Sequence, residues 1–129
     1  MDLHHVGIAT DDLEGMVAQY ETVLEVEPVH RERLDGLEVA FLETGSCLLE
    51  LLEPHQSGTV ARFLERRGPG LHHLAFETDD ITAALGQAAT AGVELVDESP
   101  RSGAWGHEVA FVHPAGMGGV LVEFVQHPH

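Results

Sequence analysis

The chain has 129 residues and a formal net charge of −16, from 22 acidic residues against 6 arginines and no lysine. Such a surface repels phosphate backbones and anionic lipid, which argues against nucleic acid or an anionic membrane as a partner. Cys47 is the single cysteine, so a disulfide framework and a thiolate metal cluster are both excluded.

Residues 3–9 form a short apolar run that ends in Thr10-Asp11-Asp12, the pattern of a strand followed by a helix N-cap. Leu13, Met16, Val17, Tyr20 and Leu24 then recur at helical spacing. Strands are expected at about 27–33, 37–44 and 47–54. The stretch 57–70 carries a short helical pattern (Val60, Phe63, Leu64) closed by Gly68-Pro69-Gly70. A strand over 71–77 then runs into Thr78-Asp79-Asp80. Ile81, Ala84, Leu85 and Ala88 mark a second long helix, which Gly92 stops. Strands at about 94–98, 107–113 and 119–126 complete the chain. No apolar run approaches the roughly 18–20 residues of a membrane span. The start MDLHHVGIA lacks the basic and apolar regions of a signal peptide, so a cytoplasmic protein is expected.

This order is a repeat. His5 to Leu13 aligns with His73 to Ile81, Val39-Ala40-Phe41-Leu42 with Val109-Ala110-Phe111-Val112, and Leu48 to Leu52 with Leu121 to Val125. Each copy reads β-α-β-β-β. The fold class is therefore α+β, with two tandem βαβββ modules (about 1–56 and 71–129, joined by the helix of about 57–70) packed as one domain over 1–129.

The repeat places one metal-ligand type on each of four apolar strands: His5, Glu50, His73 and Glu123. Alternation sets Glu50 on a face with Leu48 and Leu52, and Glu123 with Leu121 and Val125. A carboxylate there must reach solvent or be compensated by a cation or a proton. If a pseudo-twofold axis relates the modules, the four converge. Two imidazoles and two carboxylates suit Co²⁺, Mn²⁺, Fe²⁺, Ni²⁺ or Zn²⁺. An octahedral ion so held keeps two positions for substrate oxygens.

The other histidines read as less chemical. His4 and His72 point away from their neighbours' face, His30 and His55 sit near strand ends, and His127 and His129 lie in an exposed tail. His107 and His113 bracket a strand. Trp105 lies in a loop, Ser102 to Gly106, that is long enough to cover a pocket. Arg62, Arg66 and Arg67 are the one basic cluster and suit an anionic group or nearby acids.

Further stretches carry a resemblance: His4-His5-Val6-Gly7-Ile8-Ala9, Leu49-Glu50-Leu51-Leu52-Glu53-Pro54, Arg62 to Glu77, Asp79-Asp80-Ile81, Pro100-Arg101 with Gly103-Ala104, Ala110 to Pro114, and Gly118 to Glu123. With these the sequence resembles the vicinal oxygen chelate superfamily and, within it, the methylmalonyl-CoA epimerases. The resemblance implies a cupped eight-stranded mixed sheet. It implies one divalent ion per chain, cobalt most typically, held by His5, Glu50, His73 and Glu123. The implied activity interconverts the 2R and 2S forms of methylmalonyl-CoA: a proton leaves C2 to give an enolate stabilised by the metal and is returned to the opposite face. Glu123 is then one of the two proton-transfer groups. The position of the family's second glutamate falls on Leu34, with Glu32 and Asp35 as the nearest acids. Arg62, Arg66, Arg67 and Arg101 are the groups available for the CoA phosphates, and a homodimer is implied. The other readings are a glyoxalase-type lyase or dioxygenase of the same superfamily, and a metal-free ligand-binding protein. The remaining acids read as a solvating, halophile-like coat.

Overall fold

A computed structural model describes residues 1–127. The strands are β1 (Leu3–Ala9), β2 (Glu27–Leu34), β3 (Leu37–Glu43), β4 (Leu48–Pro54), β5 (Gly70–Glu77), β6 (Arg101–Ser102), β7 (Glu108–Val112) and β8 (Val122–Gln126). The helices are α1 (Leu13–Leu24), α2 (Thr59–Arg67) and α3 (Ile81–Thr90). This is the α+β class expected from the repeat, with the eight-stranded mixed sheet that the resemblance implies. The chain divides into two compact units, His5–His72 and a second made of Met1–His4 with the chain from His73 onward. Among the described residues no helix is long and apolar enough to cross a membrane.

In the N-terminal unit the strand order is β2-β3-β4-β1. β1 runs parallel to β4 with Gly7 opposite Glu50, and β3 runs antiparallel to β4 with Phe41 opposite Glu50. Alternation divides these strands cleanly. One face gives Ala40, Leu42 and Leu51 to a core with Leu13 and Val17 of α1, joined by Ile8 and Leu49. The other face holds His5, Glu50, Phe41, His30 and Glu32. The β2–β3 hairpin is the two-residue turn Asp35-Gly36, with φ of 50° and 76°. Positive φ at both centres is what a tight hairpin needs, and Asp-Gly supplies it cheaply.

The second unit has the order β5-β8-β7-β6, with β5 parallel to β8. Ile81 and Leu85 of α3 pack on Ala110, with Leu95 and Phe124 beside them. The opposite face carries His73, Ala75, Glu123, Val125, Phe111 and Val109.

The repeat holds at the level of single hydrogen bonds. The Asp12 carboxylate accepts from Gly15 N at 3.0 Å and Asp80 from Ala83 N at 3.1 Å, so both caps form as expected. The Thr10 and Thr78 hydroxyl oxygens accept from Asp12 N and Asp80 N. A further pair was not expected: Leu13 N donates to Glu53 Oε1 at 2.7 Å, and Ile81 N to Gln126 Oε1 at 2.8 Å. Each helix start is thus tied to the strand that carries its module's glutamate.

One expected element differs. The strand placed at about 94–98 is reduced to a bridge between Leu95 and Val112, and the paired edge strand lies at Arg101–Ser102. Val96 N and Asp97 N both donate to the Phe111 carbonyl, a bulge that breaks the ladder. The Asp97 carboxylate then accepts from Phe111 N at 2.9 Å, taking a place a strand carbonyl would fill. Pro100, lacking an N–H, follows at the interruption.

Since both caps do the same work, Asp12→Ala and Asp80→Ala should each cost about 1 kcal/mol in urea unfolding. The double variant should lose close to the sum, because the two caps share no partner.

Candidate metal centre

Each unit buries one imidazole against one carboxylate. In the N-terminal unit, His5 of β1 and Glu50 of β4 are 3 % and 6 % exposed, and Nε2 stands 3.3 Å from Oε1. In the second unit, His73 of β5 and Glu123 of β8 are 5 % and 6 % exposed, at 3.2 Å. A phenyl ring packs nearly perpendicular to each imidazole: Phe41 lies 5.7 Å from His5 and Phe111 lies 5.6 Å from His73, centre to centre. The packed rings restrict rotation of the imidazoles.

The donor chemistry fits a metal. Ligand atoms about 2.1 Å from a shared ion stand about 3 Å apart when cis in an octahedron and about 3.4 Å apart in a tetrahedron. Both pairs lie within that interval. Each pair also presents a charge that must be offset, by a proton on the imidazole or by a cation.

The remaining expected site residues are placed as follows. Glu32 lies on the same face of the N-terminal unit as Glu50, across β3, and its Oε1 is 2.8 Å from His30 Nε2. The His30 ring is 6.2 Å from that of Phe41. Leu34 points to that same face at the end of β2. Asp35 is exposed in the hairpin turn, and its carbonyl accepts from Gln56 Nε2 at 3.4 Å. Arg101 is half-exposed, bonded to Asp97 at 3.2 Å, with its guanidinium 5.4 Å from the centre of Phe111. It therefore reaches the ring that walls His73. Arg62, Arg66 and Arg67 are exposed on α2, and Arg67 lies 5.8 Å from the Phe63 ring centre. Among the described residues, no carboxylate pairs with these three arginines. Arg31 and Arg33, by contrast, are bound to Glu14 and Glu38.

The remaining histidines are placed as follows. His107 is buried, and His127, exposed as expected, contacts other rings. His55 is bound to Glu53 at 2.7 Å, and His113 Nδ1 accepts from Ala115 N. His129 lies outside the described residues.

The model of the glyoxalase/bleomycin resistance protein/dioxygenase superfamily matches residues 4–111. The ethylmalonyl-CoA/methylmalonyl-CoA epimerase of Cereibacter sphaeroides is 39 % identical, over 96 % of each chain. The crystal structure of methylmalonyl-CoA epimerase from Mycobacterium tuberculosis has a TM-score of 0.94 at 35 % identity, covering 99 % of this chain and 89 % of that one. A methylmalonyl-CoA epimerase solved in complex with methylmalonyl-CoA and NH₄⁺ has a TM-score of 0.90 at 34 % identity, covering 97 % and 93 %.

Removing one partner of a buried pair strands the other's charge. In metal-free protein, His5→Leu should cost about 3 kcal/mol, and Glu50→Gln added to it should restore part of that loss. Urea unfolding of the two variants measures both, and a double variant less stable than His5→Leu would show that Glu50 needs no compensation.

Proposed function

Because this chain belongs to the glyoxalase/bleomycin resistance protein/dioxygenase superfamily and, within it, to the methylmalonyl-CoA epimerase family of isomerases, we propose that it interconverts (2R)- and (2S)-methylmalonyl-CoA. The observation that carries this reading is the doubled, buried imidazole–carboxylate pair. His5, Glu50, His73 and Glu123 hold one divalent ion in a single 1–129 domain, with Co²⁺ first and Mn²⁺, Ni²⁺, Zn²⁺ or Fe²⁺ as the other ions the donor set accepts. When bound, that ion supplies Lewis-acid stabilisation of the charge that develops on the two oxygens flanking C2.

The chain's own groups then divide the work. Phe41 and Phe111 pack against the imidazoles and hold their orientation. Inversion needs an acceptor for the C2 proton on one face and a donor on the other. Glu123 Oε takes one role. For the other, Glu32 is the better placed of the two expected acids, because it shares a sheet face with Glu50 and is bound to His30. Asp35 serves the hairpin turn. The His30 ring orients the Glu32 carboxylate and can pass its proton on to solvent. The arginines without carboxylate partners on α2, with Arg101, are the cationic groups for the CoA phosphates in an otherwise acidic chain. The protein works as a soluble cytoplasmic homodimer.

Leu34 at the family's second-glutamate position favours one other reading, a different metal-dependent reaction of the superfamily, such as a glyoxalase-type lyase or a dioxygenase. Deuterium wash-in at C2 of methylmalonyl-CoA in D₂O separates the two. Metal-loaded protein should exchange C2 and equilibrate the epimers. Glu123→Gln and Glu32→Gln should each lower the rate about a hundredfold or more, while Asp35→Asn stays within about twofold. Exchange no faster than in buffer would overturn the epimerase reading.

A further inference from the structure

The face of the second unit that carries His73 and Glu123 does not end with them. Alternation puts His73, Ala75 and Glu77 on one side of β5. It does the same for Glu123 and Val125 on β8, and for Phe111 and Val109 on β7. The series continues past each strand end to His127 and His107. Side chains on β5 lean along the sheet, so His73 reaches Glu123 and Glu77 reaches His127. Three rows result. The first is the imidazole–carboxylate pair. The second is apolar: Ala75, Val109 and Val125 are 0 %, 4 % and 0 % exposed and pack together. The third is polar again, with Glu77, His127 and His107. At about 3.3 Å per residue, four residues separate the outer rows by about 13 Å.

A third imidazole joins the last row. Met1–His4 belongs to this unit, where Glu77 N donates to the Asp2 carbonyl at 2.8 Å. The His4 ring lies 5.1 Å from His107 and 5.2 Å from His127, which are 4.5 Å from each other. The contacts are edge-on, at interplanar angles of 85°, 63° and 87°. One ring nitrogen from each residue lies within 4.8 Å of those of the other two. His127 Nε2 is hydrogen-bonded to Glu77 Oε1, which leaves Nδ1 as its ligating atom. A carboxylate on the far nitrogen of an imidazole is the common way a metal-binding histidine is oriented.

We propose that His4, His107 and His127 form a second metal site, for a divalent late first-row transition ion, with Glu77 orienting His127. Three imidazoles with no thiolate suit zinc, cobalt, nickel or copper. The site is separate from the first in its donors, and the apolar row keeps the two from sharing a ligand. It does not depend on the activity proposed above. Its bound ion would clamp the first four residues onto the second unit, immediately before His5.

Trp105 gives a direct reporter, because it is the single tryptophan and its ring lies 6.2 Å from His107. Titration of metal-free protein with Co²⁺, a quencher of indole emission, should quench fluorescence saturably, with two ions bound per chain by equilibrium dialysis. His107→Gln and His127→Gln should each abolish the quench and leave one ion per chain. Glu77→Gln should weaken the quench about tenfold. His73→Gln should keep it. His127 is exposed, so its variant tests the site even if His107→Gln disturbs packing. Quenching of His127→Gln equal to that of wild type would overturn the proposal. So would loss of the quench in His73→Gln, or no quench at millimolar Co²⁺.

Discussion

A carboxylate buried within an apolar strand costs several kcal/mol unless its charge is offset, and this chain accepts that cost twice, at Glu50 and at Glu123, each beside an imidazole nitrogen. Much of the architecture serves those two positions. Each lies on an inner strand of its unit, parallel to the strand that brings the histidine and antiparallel to the strand that brings the phenyl ring. The helix of each unit packs on the other face, against the side chains that alternate with the polar pair. The ties from Glu53 to Leu13 N and from Gln126 to Ile81 N fix each helix three residues beyond its unit's glutamate.

Local signals made most of this legible. Thr-Asp-Asp caps depend on neighbouring residues alone, and both helices start where those caps place them. Strand alternation is equally local, so the faces of Glu50 and Glu123 followed from their flanking leucines and valines. The repeat added what alternation cannot supply, namely that a histidine accompanies each glutamate. The interrupted edge strand was not legible, because it turns on the Asp97 carboxylate reaching Phe111 N, fourteen residues away. The cluster of His4, His107 and His127 was hidden for a related reason. Its members lie at opposite ends of the chain and meet only after the first four residues join the second unit.

Leu34 has a physical consequence within the N-terminal unit. An apolar residue at the end of β2 leaves the polar chemistry of that face to His30 and Glu32, which are bound to each other. The hairpin below them requires positive φ at Asp35, which is exposed in that turn. The charge distribution is similarly divided. Arg31, Arg33 and Arg101 pair with Glu14, Glu38 and Asp97, while the α2 arginines have no carboxylate partner among the described residues. Cationic capacity is thus concentrated in a few places within a chain of net charge −16.

The proposed function requires that one cation compensate both buried pairs. Mn²⁺, which favours carboxylate over a purely imidazole set, is the ion to use. Counting it by electron paramagnetic resonance in metal-free protein tests the claim most directly. One shared ion requires a single tight Mn²⁺ per chain, whose affinity falls by a similar large factor whether His5 or His73 is changed to glutamine. Two Mn²⁺ ions per chain, with each variant losing one and keeping the other at wild-type affinity, would contradict it.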